Sequence, residues 1–223
     1  MPDGQYSFYL HSDDRTDIAA MATISTISQP LRGEFIRTAA TAGAVVYQVD
    51  ARFPALIPVF FAGQLSAVRL CAVMALVSGT WSSLTGLPDE PENGEAALPV
   101  SPETEYQRRR YTLTLQNGRS GERVESVLTE ASSRLRGDLL RNLIITGLAL
   151  HTTAPELPRL LASMPVPPTS VSELQALVQQ MAGTADVNRA AAAVPDTPAA
   201  SAAPVSGADT REIKKNMRRA FGD

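Results

Sequence analysis

The heptapeptide Leu31-Arg32-Gly33-Glu34-Phe35-Ile36-Arg37 occurs a second time, diverged, as Leu135-Arg136-Gly137-Asp138-Leu139-Leu140-Arg141. The leucine, both arginines and the glycine are shared, and acid stands against acid. Each copy runs on into an apolar segment that carries a further glycine, Gly43 in one and Gly147 in the other, at a constant offset of 104 residues. The match extends to both sides. The chain is therefore two divergent copies of one unit with a tail, and this repeat has to be settled before any local pattern is interpreted.

A length of 223 residues suits one or two domains. Hydrophobic residues make up 44% of the chain, but aromatic ones only 5%. Ala, Leu and Val carry the apolar content, which favours helices over a β-sandwich. The single Cys71 excludes an intramolecular disulfide and suits a reducing cytosol, so a cytoplasmic protein is expected. The first twenty residues lack the apolar core of a secretory signal. The most apolar region, 53–77, is interrupted by Pro54, Pro58, Gln64 and Arg69, so no membrane span is expected.

The net charge of −3 is unevenly distributed. Residues 81–104 hold five acids and no base, whereas 105–183 hold nine bases against seven acids. The acid excess sits between the copies, and the second copy is mildly basic.

In the first copy, Tyr6, Phe8 and Leu10 alternate with Ser7 and Tyr9, the period of a half-buried strand. His11-Ser12-Asp13-Asp14 supplies turn and cap chemistry for a helix with Ile18, Met21, Ala22, Ser25 and Ile27 towards its inner side. Ser28-Gln29-Pro30 ends it and opens a second helix over 31–49, with Phe35, Ile36, Ala39, Ala40, Gly43 and Val46 as the inner stripe. The second copy repeats this plan. Tyr111, Leu113 and Leu115 alternate with Thr112 and Thr114, Asn117-Gly118 turns, and two helices follow. One deleted residue brings strand and second helix into register. A glycine inside a helix costs about 1 kcal/mol relative to alanine, so its presence in both copies predicts a neighbouring helix too close for a side chain. Each copy then continues into two short proline-marked helices, 53–61 and 64–77 in one, 156–163 and 171–181 in the other.

The predicted organisation is thus a first unit over 1–80, an acidic Pro-containing linker over 81–105, a second unit over 106–183, a disordered Ala/Pro tract over 184–208 and a basic amphipathic helix over 209–223. In that last segment Asp209 and Glu212 resemble a capping box. Ile213, Met217 and Phe221 share one helical face and Lys214, Lys215 and Arg218 lie around it. A helix this short is marginal alone in water, so it is expected to form on a partner.

Strand, helix and helix in about forty-five residues is the ribbon–helix–helix plan. The expected class is mainly α, with tandem ribbon–helix–helix units, each bearing a small helical cap. One strand cannot make a ribbon. Two must pair antiparallel, bury their apolar faces on four helices and present the other faces outward. A two-stranded ribbon fits the DNA major groove. The base-facing candidates are Ser7 and Tyr9 from one copy and Arg110, Thr112 and Thr114 from the other. The N-terminus of each second helix favours an anion, which makes Arg32, Gly33, Arg134, Arg136 and Gly137 the candidate phosphate contacts. Arg37 and Arg141 lie a turn further in, where each can also pair with an acid on the neighbouring unit.

Since the chain contains two strands, 6–10 and 111–115 are expected to pair with each other in an intramolecular pseudo-dimer. About twenty-five linker residues reach up to roughly 80 Å, and fusion raises the local concentration of the second unit to about the millimolar range. The two halves differ, so the expected DNA element is asymmetric and its sites are direct repeats.

The strand, the two helices, Arg37-Thr38-Ala39-Ala40-Thr41-Ala42-Gly43, Tyr47, the Asp50-Ala51-Arg52-Phe53-Pro54 turn and the two further helices together resemble the plasmid partition adaptor family ParR, also called StbB. Lys214-Lys215-Asn216-Met217 resembles that family's C-terminal tail. The similarity covers about residues 6–78 well, 111–182 more loosely, and the last dozen residues. It implies a protein that binds repeated centromere-like sites on double-stranded plasmid DNA as an array, with a tail that grips a filament of the actin-like ATPase ParM. The duplication departs from the family's pattern. A repressor or antitoxin of the same fold, an accessory factor of a plasmid-transfer complex, and a helical scaffold that holds a protein are the competing readings.

Enzyme chemistry is not expected, and neither is a cofactor. His11 and His151 have no metal-ligand spacing, Cys71 sits in an apolar helix, and no phosphate-cradling glycine loop occurs.

Overall fold

Each copy opens with a seven-residue strand, β1 (Gln5–His11) and β2 (Arg108–Thr114), in a computed structural model that describes residues 4–80 and 108–192. The strands pair with each other, antiparallel, within one chain. Their ladder is symmetric about the Ser7–Thr112 rung. Tyr6 stands opposite Leu113 and Phe8 opposite Tyr111, which exchanges equivalent positions of the two copies. Each strand is longer than its alternating core. β2 starts at Arg108 because the partner strand supplies hydrogen bonds to residues whose own charged side chains carry no strand signal.

In the first copy α1 (Arg15–Ser25) is followed by a 3-10 turn at Gln29–Leu31 and then by α2 (Arg32–Val49), α3 (Phe53–Phe60) and α4 (Ala67–Ser78). The second copy carries α5 (Arg119–Glu130), α6 (Arg136–Thr153), α7 (Leu157–Ser163) and α8 (Val171–Ala192). Asp14 caps α1 by accepting the Asp17 amide at 3.0 Å, and Ser66 caps α4 through the Arg69 amide. α8 runs eleven residues past its expected end at Met181. Gly183 is a single interruption, the residues after it are rich in alanine, and no proline occurs before Pro195.

Both copies share one core. Phe8, Leu10 and Leu113 from the ribbon, Ile36, Val45 and Val46 from α2, and Leu140, Leu143, Ile144 and Leu148 from α6 are buried in a single cluster. α2 and α6 form the most extensive helix pair in the molecule, and both repeated glycines lie at their crossing. A methyl group on Gly43 would come within 2.6 Å of the Leu143 carbonyl carbon and clash with its oxygen. One on Gly147 would meet the Ala39 carbonyl in the same way. Leu143 and Ala39 are themselves equivalent positions, so the two close approaches are related by the same two-fold as the ribbon. α2 is buried all round from Ala39 to Val46, including Thr41, Ala42 and Ala44 outside the expected stripe, because α6, α3, α5 and α7 surround it.

α1 departs from its expected inner face. Asp17, Ala19, Ala20 and Ile24 are buried, while Ala22 and Ser25 are exposed. The helix is turned by Asp17, whose carboxylate accepts the His11 amide at 2.9 Å and the Arg141 guanidinium at 2.7 Å. Arg141 also reaches Asp14 at 3.2 Å. Apolar periodicity cannot reveal a buried acid whose partner lies 124 residues away. Burial raises the Asp17 carboxyl above its ordinary range, and the His11 amide and Arg141 act in the opposite sense. Asp17→Ala removes these contacts and leaves the partly buried Arg141 guanidinium to the more exposed Asp14. It is expected to destabilise the fold by about 3 kcal/mol in urea titration.

The linker expected at 81–105 lies outside the described residues, as do all but the first residues of the 184–208 tract and the whole of 209–223.

Candidate nucleic-acid interface

Strand alternation decides which side chains face outward. The inner face of the ribbon carries Tyr6, Phe8, Leu10, Tyr111 and Leu113, with Phe8 and Tyr111 stacked at 5.2 Å between ring centroids. The outer face therefore carries Gln5, Ser7, Tyr9 and His11 on β1 and Arg108, Arg110, Thr112 and Thr114 on β2. All five strand residues expected there, Ser7, Tyr9, Arg110, Thr112 and Thr114, lie on it. Arg108, His11 and Gln5 join them. The apolar alternation over 6–10 and 111–115 stops short of all three, although Arg108-Arg109-Arg110 is plain in the sequence.

The outer side chains are ordered against one another. Arg110 donates from Nε and Nη2 to Ser7 Oγ at 3.2 and 3.0 Å. The Arg108 guanidinium lies 3.5 Å above the centroid of the Tyr9 ring, a cation–π contact. Arg109 turns to the other side, 5.2 Å from the Tyr111 ring centroid. Three arginines and Tyr9 thus gather at one end of the ribbon, and Gln5 and Thr114 stand at the other. Gln5 and Arg110 are equivalent under the two-fold, so the copies differ at a position where a two-fold ribbon would present matching residues.

Arg32 and Arg136 enter the first turns of α2 and α6 as the repeat predicts, and both look back. Arg32 Nε donates to the Ile27 carbonyl at 2.8 Å and Arg136 Nε to the Ala131 carbonyl at 3.2 Å. Each ties the end of its copy's first helix to the start of the second. Arg134 is exposed, Gly33 is open apart from Arg37, and a methyl on Gly137 would lie 3.4 Å from the Ser7 carbonyl oxygen. The start of α6 therefore abuts the centre of the ribbon. Of the two arginines a turn further in, Arg141 pairs across the copies with Asp17, whereas Arg37 pairs with Glu34 on its own helix at 2.6 Å.

The tail residues Ile213, Lys214, Lys215, Met217, Arg218 and Phe221 lie outside the described residues. Among the described residues, no group of three or more His, Cys, Asp or Glu side chains could hold a metal ion, and no helix is long and apolar enough to cross a membrane. Burial raises the Cys71 thiol, as for a core cysteine.

A two-stranded ribbon seated on a shared helical core, with two further helices in each half, makes this a tandem ribbon–helix–helix protein folded from a single chain. Residues 4–74 and 109–178 each match the family described as plasmid stability protein, one match per structural copy. Together they cover more than half of the sequence, and the chain belongs to that family. Comparison with curated proteins and with solved structures gives no match.

Proposed function

We propose that this protein is the DNA-binding adaptor of a plasmid partition system, of the ParR/StbB type. It binds repeated centromere-like sites through the ribbon and links them to an actin-like ParM-type filament through its C-terminal segment. Membership of a plasmid stability family supports a role in plasmid maintenance. The observation that carries the DNA reading is the outer face of the ribbon, where Arg108, Arg110, Ser7, Tyr9, Thr112 and Thr114 project together from a surface that needs none of them for its core. Arginine matches the guanine edge bidentately, glutamine matches adenine, and a threonine methyl meets the thymine methyl. The Arg110 end suits guanines and the Gln5–Thr114 end suits A·T pairs. Each site is then non-palindromic, and successive sites are direct repeats occupied by one chain each.

Selection of the full chain against a random duplex library tests this. A motif with guanines in one half only is expected. An enriched palindrome would contradict the single-chain reading of a site, and salt-sensitive retention without any enrichment would contradict base reading by the ribbon. The tail is tested separately. Met217→Ala with Phe221→Ala should abolish filament binding and leave DNA affinity unchanged. Unaltered plasmid retention in that variant would favour a repressor, which has no need of 209–223.

A further inference from the structure

We propose that the cavity between α2, the start of α5 and α7 is a binding site for a phosphate group. The hollow measures about 310 Å³, and its lining includes Glu34 and Arg37 from α2, Arg119, Ser120 and Gly121 from α5, and Arg159 from α7. Its meaning comes from the other copy. Ser120 Oγ donates to the Ala162 carbonyl at 3.2 Å, and in the first copy Thr16 Oγ1 donates to the Pro58 carbonyl at 3.1 Å. These are equivalent positions making the same bond, so the start of each copy's first helix is tied to that copy's third helix in the same way. In the first copy the next residue is Asp17, and its buried carboxylate ligates Arg141. In the second copy that residue is Gly121, and the arginine equivalent to Arg141 is Arg37.

The lost carboxylate is not replaced from its own position. Gly121 lies against the Gln116 carbonyl, and a methyl there would come within 3.2 Å of its carbon and clash with its oxygen. No side chain can grow into the space from that position. Arg37 turns instead to Glu34, which is 63% exposed. An exposed pair of this kind on one helix is weak, and a dianion can displace it. Meanwhile the basic character has increased, because Arg159 stands where the first copy has Ala55. Among the described residues, neither Arg119 nor Arg159 has an acidic partner. Three guanidinium groups thus border a cavity whose counterpart holds an anionic group on the equivalent arginine. Guanidinium forks and the backbone N–H groups that open α5 both match the oxygens of a phosphate.

This site stands whether or not the ribbon reads DNA. Inorganic phosphate titrated into the labelled full chain, with chloride at equal ionic strength as reference, tests it by NMR. Saturable shifts at the amides of 118–121 are expected with phosphate alone. Arg119→Gln with Arg159→Gln should weaken binding roughly tenfold or more, and Glu34→Gln should tighten it several-fold. All three side chains are substantially exposed, so the fold tolerates these changes. Shifts that chloride reproduces, or affinities that the variants leave unchanged, would overturn the proposal. A short duplex added to the phosphate-loaded protein identifies the source of the group. Displacement of phosphate means that the cavity holds a nucleic-acid backbone phosphate, and simultaneous binding means that it holds a free phosphorylated ligand.

Discussion

Alanine at Gly43 or at Gly147 should destabilise the protein by about 3 kcal/mol or more, and the double variant should not fold. Overpacking a core costs about 1–3 kcal/mol when side chains can shift. Here the added methyl meets a backbone carbonyl on the facing helix, Leu143 in one case and Ala39 in the other. The only remedy is to separate α2 from α6, which opens the core that the two copies share. Urea titration measures the loss. Gly33→Ala is the control, since the nearest atom to a methyl there is the mobile end of Arg37 at 3.8 Å. It should be neutral, or stabilising by up to about 1 kcal/mol through helix propensity. Equal behaviour of Gly33→Ala and Gly43→Ala would mean that the helices do not cross this closely.

Removing both outward arginines should have the largest effect on DNA binding. Each base contact contributes about 1–3 kcal/mol, so Arg108→Ala with Arg110→Ala should weaken the preferred site by about two to four orders of magnitude. Both residues are exposed, and their loss leaves the core intact. The fall should be confined to the guanine half of the site, whereas Gln5→Ala should relax preference only at the other half. Direct titration of the selected duplex and of its half-site variants distinguishes the two. A double variant that binds its selected site as tightly as the unmodified chain would remove the ribbon from the interface.

Much of this architecture can be read from the sequence, and the reason is the repeat. Two weak strand patterns at matching positions, each followed by Leu-Arg-Gly and an internal helical glycine, require a shared ribbon and a close helix crossing. Both are present, at Ser7–Thr112 and at Gly43 and Gly147. The five outward strand residues followed from period-two alternation alone. That Arg141 can pair with an acid of the other copy was legible too, but not which acid that is. Asp17 carries no apolar signal of its burial, because its partner Arg141 belongs to the other copy. Arg32 and Arg136 tie their helices back to the preceding one, a contact that no spacing rule expresses. The cavity beside Arg37 lies where one copy has the Asp17 carboxylate and the other has Gly121, and no local pattern marks it.

The central claim is that one chain supplies both strands of a ribbon and occupies one DNA site. Light scattering of the full chain bound to a duplex carrying a single selected site tests this most directly. The predicted mass is that of the duplex plus one chain. A complex of two chains on a palindrome, with β1 of one chain paired to β1 of the other, would contradict it.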